Sequence, residues 1–276
     1  MGMTLLPSSR VHPTLNPEGL REAFEGKAGA GAWAGGWISS PHHLHAVELE
    51  RERVGVPQEG GIATDIFLWG QGEPKDRTLT KVGGLPYWPF EKAWPVGEEG
   101  ELVFLAQFNF VDSKDLVGEL PGDLLLLFSD AAFSWAEGNR GGLVPMWVRF
   151  GPERLIVERT LPKVKNPFFK GYGVIHRAMD WAGVGEGVRV LDATKIGGVL
   201  KGDRTGVPSD WKPLAQLGPI QPTAGQDFPW VNRPRPLGET SDAAGVAGVT
   251  NRWVLDGGRF LGLYLDGTGG VEWDLA

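Results

Sequence analysis

The chain of 276 residues contains no cysteine, which excludes disulfides, thiolate metal sites and a cysteine nucleophile. Long apolar runs are missing too. No stretch reaches the about 20 residues that a membrane-spanning helix needs. The start, Met1-Gly2-Met3-Thr4-Leu5-Leu6-Pro7, has neither the basic lead nor the apolar run of a secretory signal. A soluble, cytoplasmic protein without membrane attachment is therefore expected. Positive charge is in deficit: 27 Lys and Arg against 34 Asp and Glu give a net charge of −7, so no general attraction to nucleic acid is expected. Histidine is sparse. The one cluster, His42, His43 and His45 with Glu48 and Glu50 behind it, lacks a third ligand at a recognisable spacing, and no metal site is assigned. No Gly-x-Ser-x-Gly elbow is present for a serine nucleophile. No catalytic residue and no cofactor are assigned.

What is abundant is glycine and proline, 42 and 21 residues, together with 12 Trp and 13 Phe. Turn formers in that number suit many short strands, and the aromatics supply a large core. An internal repeat organises the rest. Thr80-Lys81-Val82-Gly83-Gly84 returns 114 positions later as Thr194-Lys195-Ile196-Gly197-Gly198. Phe104-Leu105-Ala106-Gln107-Phe108 is followed by Pro213-Leu214-Ala215-Gln216-Leu217, and Gly122-Asp123 with its apolar run by Gly258-Arg259 with another. Three blocks in one order indicate two diverged copies of a structural unit.

Asn16-Pro17-Glu18 opens a helix near 17–26, with Asn as N-cap and Pro at the first helical position. Strands are expected over 46–53, 62–69, 102–110, 124–128, 143–150, 154–159, 187–191, 259–265 and 271–275. In the third of these, Leu102, Phe104, Ala106, Phe108 and Phe110 share one face at period 2. Residues 203–213 and 218–245 are expected as loops. The fold class expected is α+β and strand-rich: two diverged copies of a mostly antiparallel β unit, packed as one pseudo-twofold domain, with an N-terminal helix. Residues 1–60 form an N-terminal extension and 61–276 a duplicated domain, with copies at about 61–180 and 181–276.

Lys81-Val82-Gly83-Gly84-Leu85-Pro86, Trp94-Pro95, Phe104-Leu105-Ala106-Gln107, Leu120-Pro121-Gly122 and Leu126-Leu127-Phe128 together resemble the YwqG-like family of uncharacterised bacterial proteins. The resemblance covers roughly residues 60–276. In the second copy Gly198 is followed by Val199 and Leu200, where the family pattern would have proline. The resemblance implies a mixed, strand-rich fold, no established catalytic site, and an interaction or immunity role in bacterial toxin systems.

The candidate residues follow from this frame. Gly83, Gly84, Gly197 and Gly198 are read as turn glycines supplying positive φ; a phosphate cradle with Lys81 and Lys195 lacks the spacing of a P-loop. Gln107 and Gln216 are buried amides that bridge to backbone. Tyr87, Trp88 and Trp94, with Lys81, and Trp211 and Trp230 in the second copy, are candidate anchors for a partner. Acids at 98–130 and bases at 140–177 segregate, which reads as ordinary solvated charge or, alternatively, as a basic face for an acidic partner. The function expected is a non-enzymatic binding protein acting through a protein partner, as an immunity-type inhibitor. Two alternatives stay open. One is a carbohydrate-active or other hydrolase using Asp256, Asp266, Glu272 and Asp274; the other is a small-ligand module at the junction of the repeats.

Overall fold

The computed structural model describes residues 61–71, 73–157, 170–180, 194–200, 207–208, 210–218 and 260–275. Ten strands join one antiparallel sheet: β1 (Ile62–Gln71), β2 (Thr80–Val82), β5 (Val103–Asn109), β6 (Leu124–Ser129), β7 (Leu143–Val148), β8 (Gly171–Asp180), β9 (Lys195–Gly197), β10 (Lys212–Leu217), β11 (Leu261–Leu265) and β12 (Val271–Leu275). A small hairpin, β3 (Val96–Gly97) and β4 (Gly100–Glu101), stands apart. The sheet order is β12-β11-β10-β9-β1-β8-β2-β5-β6-β7. It reads alike from either edge, with the ten-residue ladder between β1 and β8 at its centre.

The two edges approach each other. Trp147 on β7 donates its indole N–H to Gly269 O in the β11–β12 turn at 3.2 Å, and Arg140 pairs with Glu272 of β12 at 3.2 Å. The sheet thereby curls to a nearly closed, barrel-like form, as large twisted sheets tend to do. Its interior is one apolar cluster drawn from both ends of the chain, including Phe67, Phe108, Phe110, Leu125, Leu127, Ile196, Leu217, Leu263 and Trp273. Full burial of such side chains contributes roughly 1.5–3 kcal/mol each.

A bulge determines which residues face inward. The period-2 stripe expected from Leu102 to Phe110 is interrupted at Leu105, where the β5–β6 register shifts between Phe104 and Ala106. Ala106, Phe108 and Phe110 then line the interior, while Leu102 and Phe104 join a second cluster on the outer face. The extra residue of a bulge reverses the alternation beyond it. The β10–β11 register shifts likewise between Pro213 and Ala215, at Leu214. Strand β6 is buried on both faces, Leu125 and Leu127 inward, Leu124, Leu126 and Phe128 outward. That is the environment its unbroken apolar run suggests.

The α+β expectation is corrected by this architecture. Among the described residues the α-helix is a single turn, α1 (Lys114–Val117), beside short 3-10 segments, and strands dominate. The expected packing of two β-unit copies against each other is also corrected. All ten major strands share one sheet, and the lead strands are exchanged: β1 pairs with β9 while β8 pairs with β2. The long β1–β8 ladder allows this, because it joins the two runs of strands by backbone hydrogen bonds where two packed units would meet through side chains. The expected N-terminal helix, the strands over 46–53 and 187–191, and His42, His43 and His45 lie outside the described residues. Residues 154–157 form only a bridge, Leu155 to Pro89. Strand β8 was not anticipated from sequence, and β10 begins at Lys212, inside a predicted loop.

Candidate functional site

Each Lys-x-Gly-Gly segment ends a three-residue strand, β2 or β9, and turns sharply. Gly83 and Gly84 have φ of 59° and 69°; Gly197 and Gly198 have 68° and 69°. Two successive left-handed residues strongly favour glycine, since a Cβ costs roughly 1–2 kcal/mol at each. The turn aims a backbone N–H and the lysine ammonium at one carboxylate. In the first turn Lys81 Nζ pairs with Glu73, and Leu85 N donates to Glu73 Oε2 at 3.1 Å. In the second, Lys195 Nζ and Val199 N each donate to Asp180 Oδ2 at 2.8 Å. A Cβ on Gly84 would land on the Glu73 carboxylate, and one on Gly198 on that of Asp180. The glycines thus serve twice, in conformation and in room for the acid.

The surroundings match as well. Thr80 Oγ1 accepts from Asn109 N at 2.9 Å, and Thr194 Oγ1 from Gly218 N at 3.0 Å. Gln107 lies opposite Lys81 in the ladder and Gln216 opposite Lys195. Gln107 is fully engaged: its Oε1 accepts from Tyr87 N at 2.8 Å, and its Nε2 donates to Arg77 O at 2.8 Å and Leu79 O at 2.7 Å. It ties the loop after the turn to the loop before it. Gln216 is buried.

The two clamps differ in exposure. The side chains of Lys195 and Asp180 are both 0% exposed, whereas Glu73 is 29% exposed above a buried Lys81. Burial pushes the Lys81 ammonium down to about 8; Glu73 opposes this shift, while Arg77 and Lys170 add to it. Arg77 is itself anchored, Nη1 donating to Ile156 O at 3.2 Å and Nη2 to Pro86 O at 2.5 Å, with its Nε buried and without a partner.

The candidate anchor aromatics form a layer over the outer face of β5 and β6. Tyr87 and Trp88 are buried, and Trp94 half-buried. Trp88 and Trp94 meet Phe128 edge-on with centroids 5.5 Å and 5.4 Å apart, and donate their indole N–H groups to Lys92 O and Leu102 O. Tyr87 Oη bonds with the backbone of Gly151. These rings therefore cover the sheet. Exposed beside them are Phe90, Val96 and Phe150, which the sequence reading did not single out. Arg154 lies over the Phe90 ring at 4.9 Å. Trp211 is half-buried just before β10, and Trp230 lies outside the described residues.

A further charged cluster had no sequence signature. Arg177 on β8 donates to the buried Asp65 at 2.5 Å and to Asp115 at 2.7 Å, while Ser113 Oγ donates to Asp65 at 2.7 Å. It pins α1 against the central strands. The hydrogen bond from Arg177 holds the Asp115 carboxyl below the usual range. The C-terminal acids are dispersed. Asp266 caps its own turn by accepting from Thr268 and Gly270, Glu272 pairs with Arg140, and Asp274 lines a surface cavity of about 330 Å³ with Arg140 and Trp273. Asp256 lies outside the described residues. Among the described residues, no three His, Asp or Glu gather as metal ligands, and no helix is long and apolar enough to cross a membrane.

A family described as a domain of unknown function, DUF1963, matches residues 80–139. The matched stretch runs from the first Lys-x-Gly-Gly turn through the aromatic layer, β5 and β6. It holds Lys81 and the glycine pair of the first clamp, and none of the second. No curated protein matches the chain.

Proposed function

We propose that this is a non-enzymatic binding protein of the YwqG-like kind, built from two versions of one strand pattern. It acts by holding a protein partner, as an immunity-type inhibitor does. The observation that carries this reading is the outer surface of the first half. Its aromatic layer bonds its indole and phenol groups internally and leaves Phe90, Val96 and Phe150 38%, 68% and 37% exposed. Lys92 and Arg154 lie against this layer, over Trp88 and Phe90. Exposed aromatic rings with a cationic rim suit an apolar partner surface edged with acids. The reading of two versions is supported by the paired bulges at Leu105 and Leu214, the paired clamps, and the sheet order.

The test is calorimetric titration against the product of the neighbouring reading frame, with wild type and the Phe90→Asp/Phe150→Asp variant. The reading expects the double variant to stay folded and lose at least about tenfold in affinity, roughly 1.4 kcal/mol. Equal affinity for both proteins would remove the surface from the account.

A further inference from the structure

The two clamps hold the same chemical group by the same donors, but only one holds it out of reach. Asp180 is the last residue of β8, is paired in the ladder with Ile62, and is wholly buried. Glu73 lies two residues past the end of β1, outside any ladder, and its side chain reaches solvent. Its attachments to the site are the Lys81 ammonium and the Leu85 N–H. Swinging a side chain out of such a position needs no strand to move.

The charge at the first clamp also exceeds what Glu73 neutralises. Besides the Glu73 carboxylate, Arg77 is a second cation acting on Lys81, and its hydrogen bonds go to carbonyl oxygens. Arg77 Nε is buried with no partner, at a residue whose two other nitrogens are fixed on Pro86 and Ile156. A buried donor left unsatisfied is destabilising. Such a site favours an added anion.

We propose that the first clamp is an exchangeable carboxylate site: Glu73 is a built-in plug, and a carboxylate from outside takes its place on Lys81 Nζ and the Leu85 N–H. The site's own occupant fixes the chemical class, since glycine at position 84 leaves room for a carboxylate at that point. The source is either a free small carboxylate or the acidic side chain of a partner protein. The site does not depend on the Phe90 and Phe150 surface, so either can fail alone.

The experiment is titration of the ¹⁵N-labelled protein with glutarate and, separately, with a blocked tripeptide carrying a central glutamate, at fixed ionic strength with chloride as control. The Leu85 amide should shift saturably in wild type with one of these and not with chloride, while Val199 at the second clamp stays fixed. Glu73→Gln, which keeps the shape and removes the competing charge, should bind at least about tenfold tighter; Lys81→Met should not bind. If Lys81→Met does not fold, the Lys81 Nζ resonance in Glu73→Gln serves instead and must shift with Leu85. Tighter binding of the tripeptide assigns the site to a protein's acidic side chain, and tighter binding of glutarate to a small molecule. The proposal is overturned if Leu85 is unmoved in wild type, or if it moves equally without Lys81.

Discussion

The first and second Lys-x-Gly-Gly clamps share a turn, a lysine and a backbone donor, yet they face opposite demands. At the second, Lys195 and Asp180 are both sealed from solvent. At the first, Lys81 is sealed but Glu73 is not, so solvent competes with the ammonium for the carboxylate. One internal device thus yields a fixed brace in one place and an accessible charge in the other. The difference arises from where the acid is attached: at the end of a central strand for Asp180, and past the end of one for Glu73.

The comparison can be broken first by removing each acid. Asp180→Ala breaks a fully buried ion pair and should cost about 3–5 kcal/mol in denaturant unfolding. Glu73→Ala should cost less, about 1 kcal/mol, because the removed carboxylate is itself partly solvated and water can take its place beside Lys81. Similar losses at both sites would show that exposure does not separate them. Next come the glycines. Gly198→Ala should cost more than the about 1–2 kcal/mol of a left-handed non-glycine residue, because its Cβ also meets Thr64. At Gly84 the added Cβ meets the end of the Glu73 side chain, which can move aside, so the cost should stay within that range.

The same burial predicts a pH dependence. Lys81 is held near 8 in the folded protein against an ordinary value of 10.5. Between those values the unfolded chain binds the proton more readily, so the contribution of Lys81 to stability grows as pH rises from about 8 to 10.5. Lys81→Met should flatten the wild-type unfolding profile over that window, and an unchanged slope would contradict the assigned burial.

Much of this build was legible in the sequence, but the pairing was not. The repeated Thr-Lys-x-Gly-Gly and Leu-Ala-Gln strings mark the clamps and the bulges because both need particular residue types. The acids left no such mark: Glu73 precedes Lys81 by 8 residues and Asp180 precedes Lys195 by 15, so no common spacing announces them. Strands β2 and β9, at three residues each, are too short for periodicity to register. Strand β8, Gly171-Tyr172-Gly173-Val174-Ile175-His176-Arg177-Ala178-Met179-Asp180, lacks clean alternation because it occupies the centre of the sheet between β1 and β2. The aromatics after the first turn were visible as a group. That Tyr87 and Trp88 face the sheet while Phe90 faces out depends on the loop's anchors, Arg77 and Gln107, which lie 10 and 20 residues from Tyr87 in the chain.

The most direct test of the central claim is native-state hydrogen exchange of two amides in one sample, Leu85 and Val199, each donating to its clamp's carboxylate. If one clamp is open to exchange and the other fixed, Leu85 exchanges through local opening at least about 100-fold faster than Val199, whose protection approaches that of global unfolding. Equal protection of the two amides would contradict it.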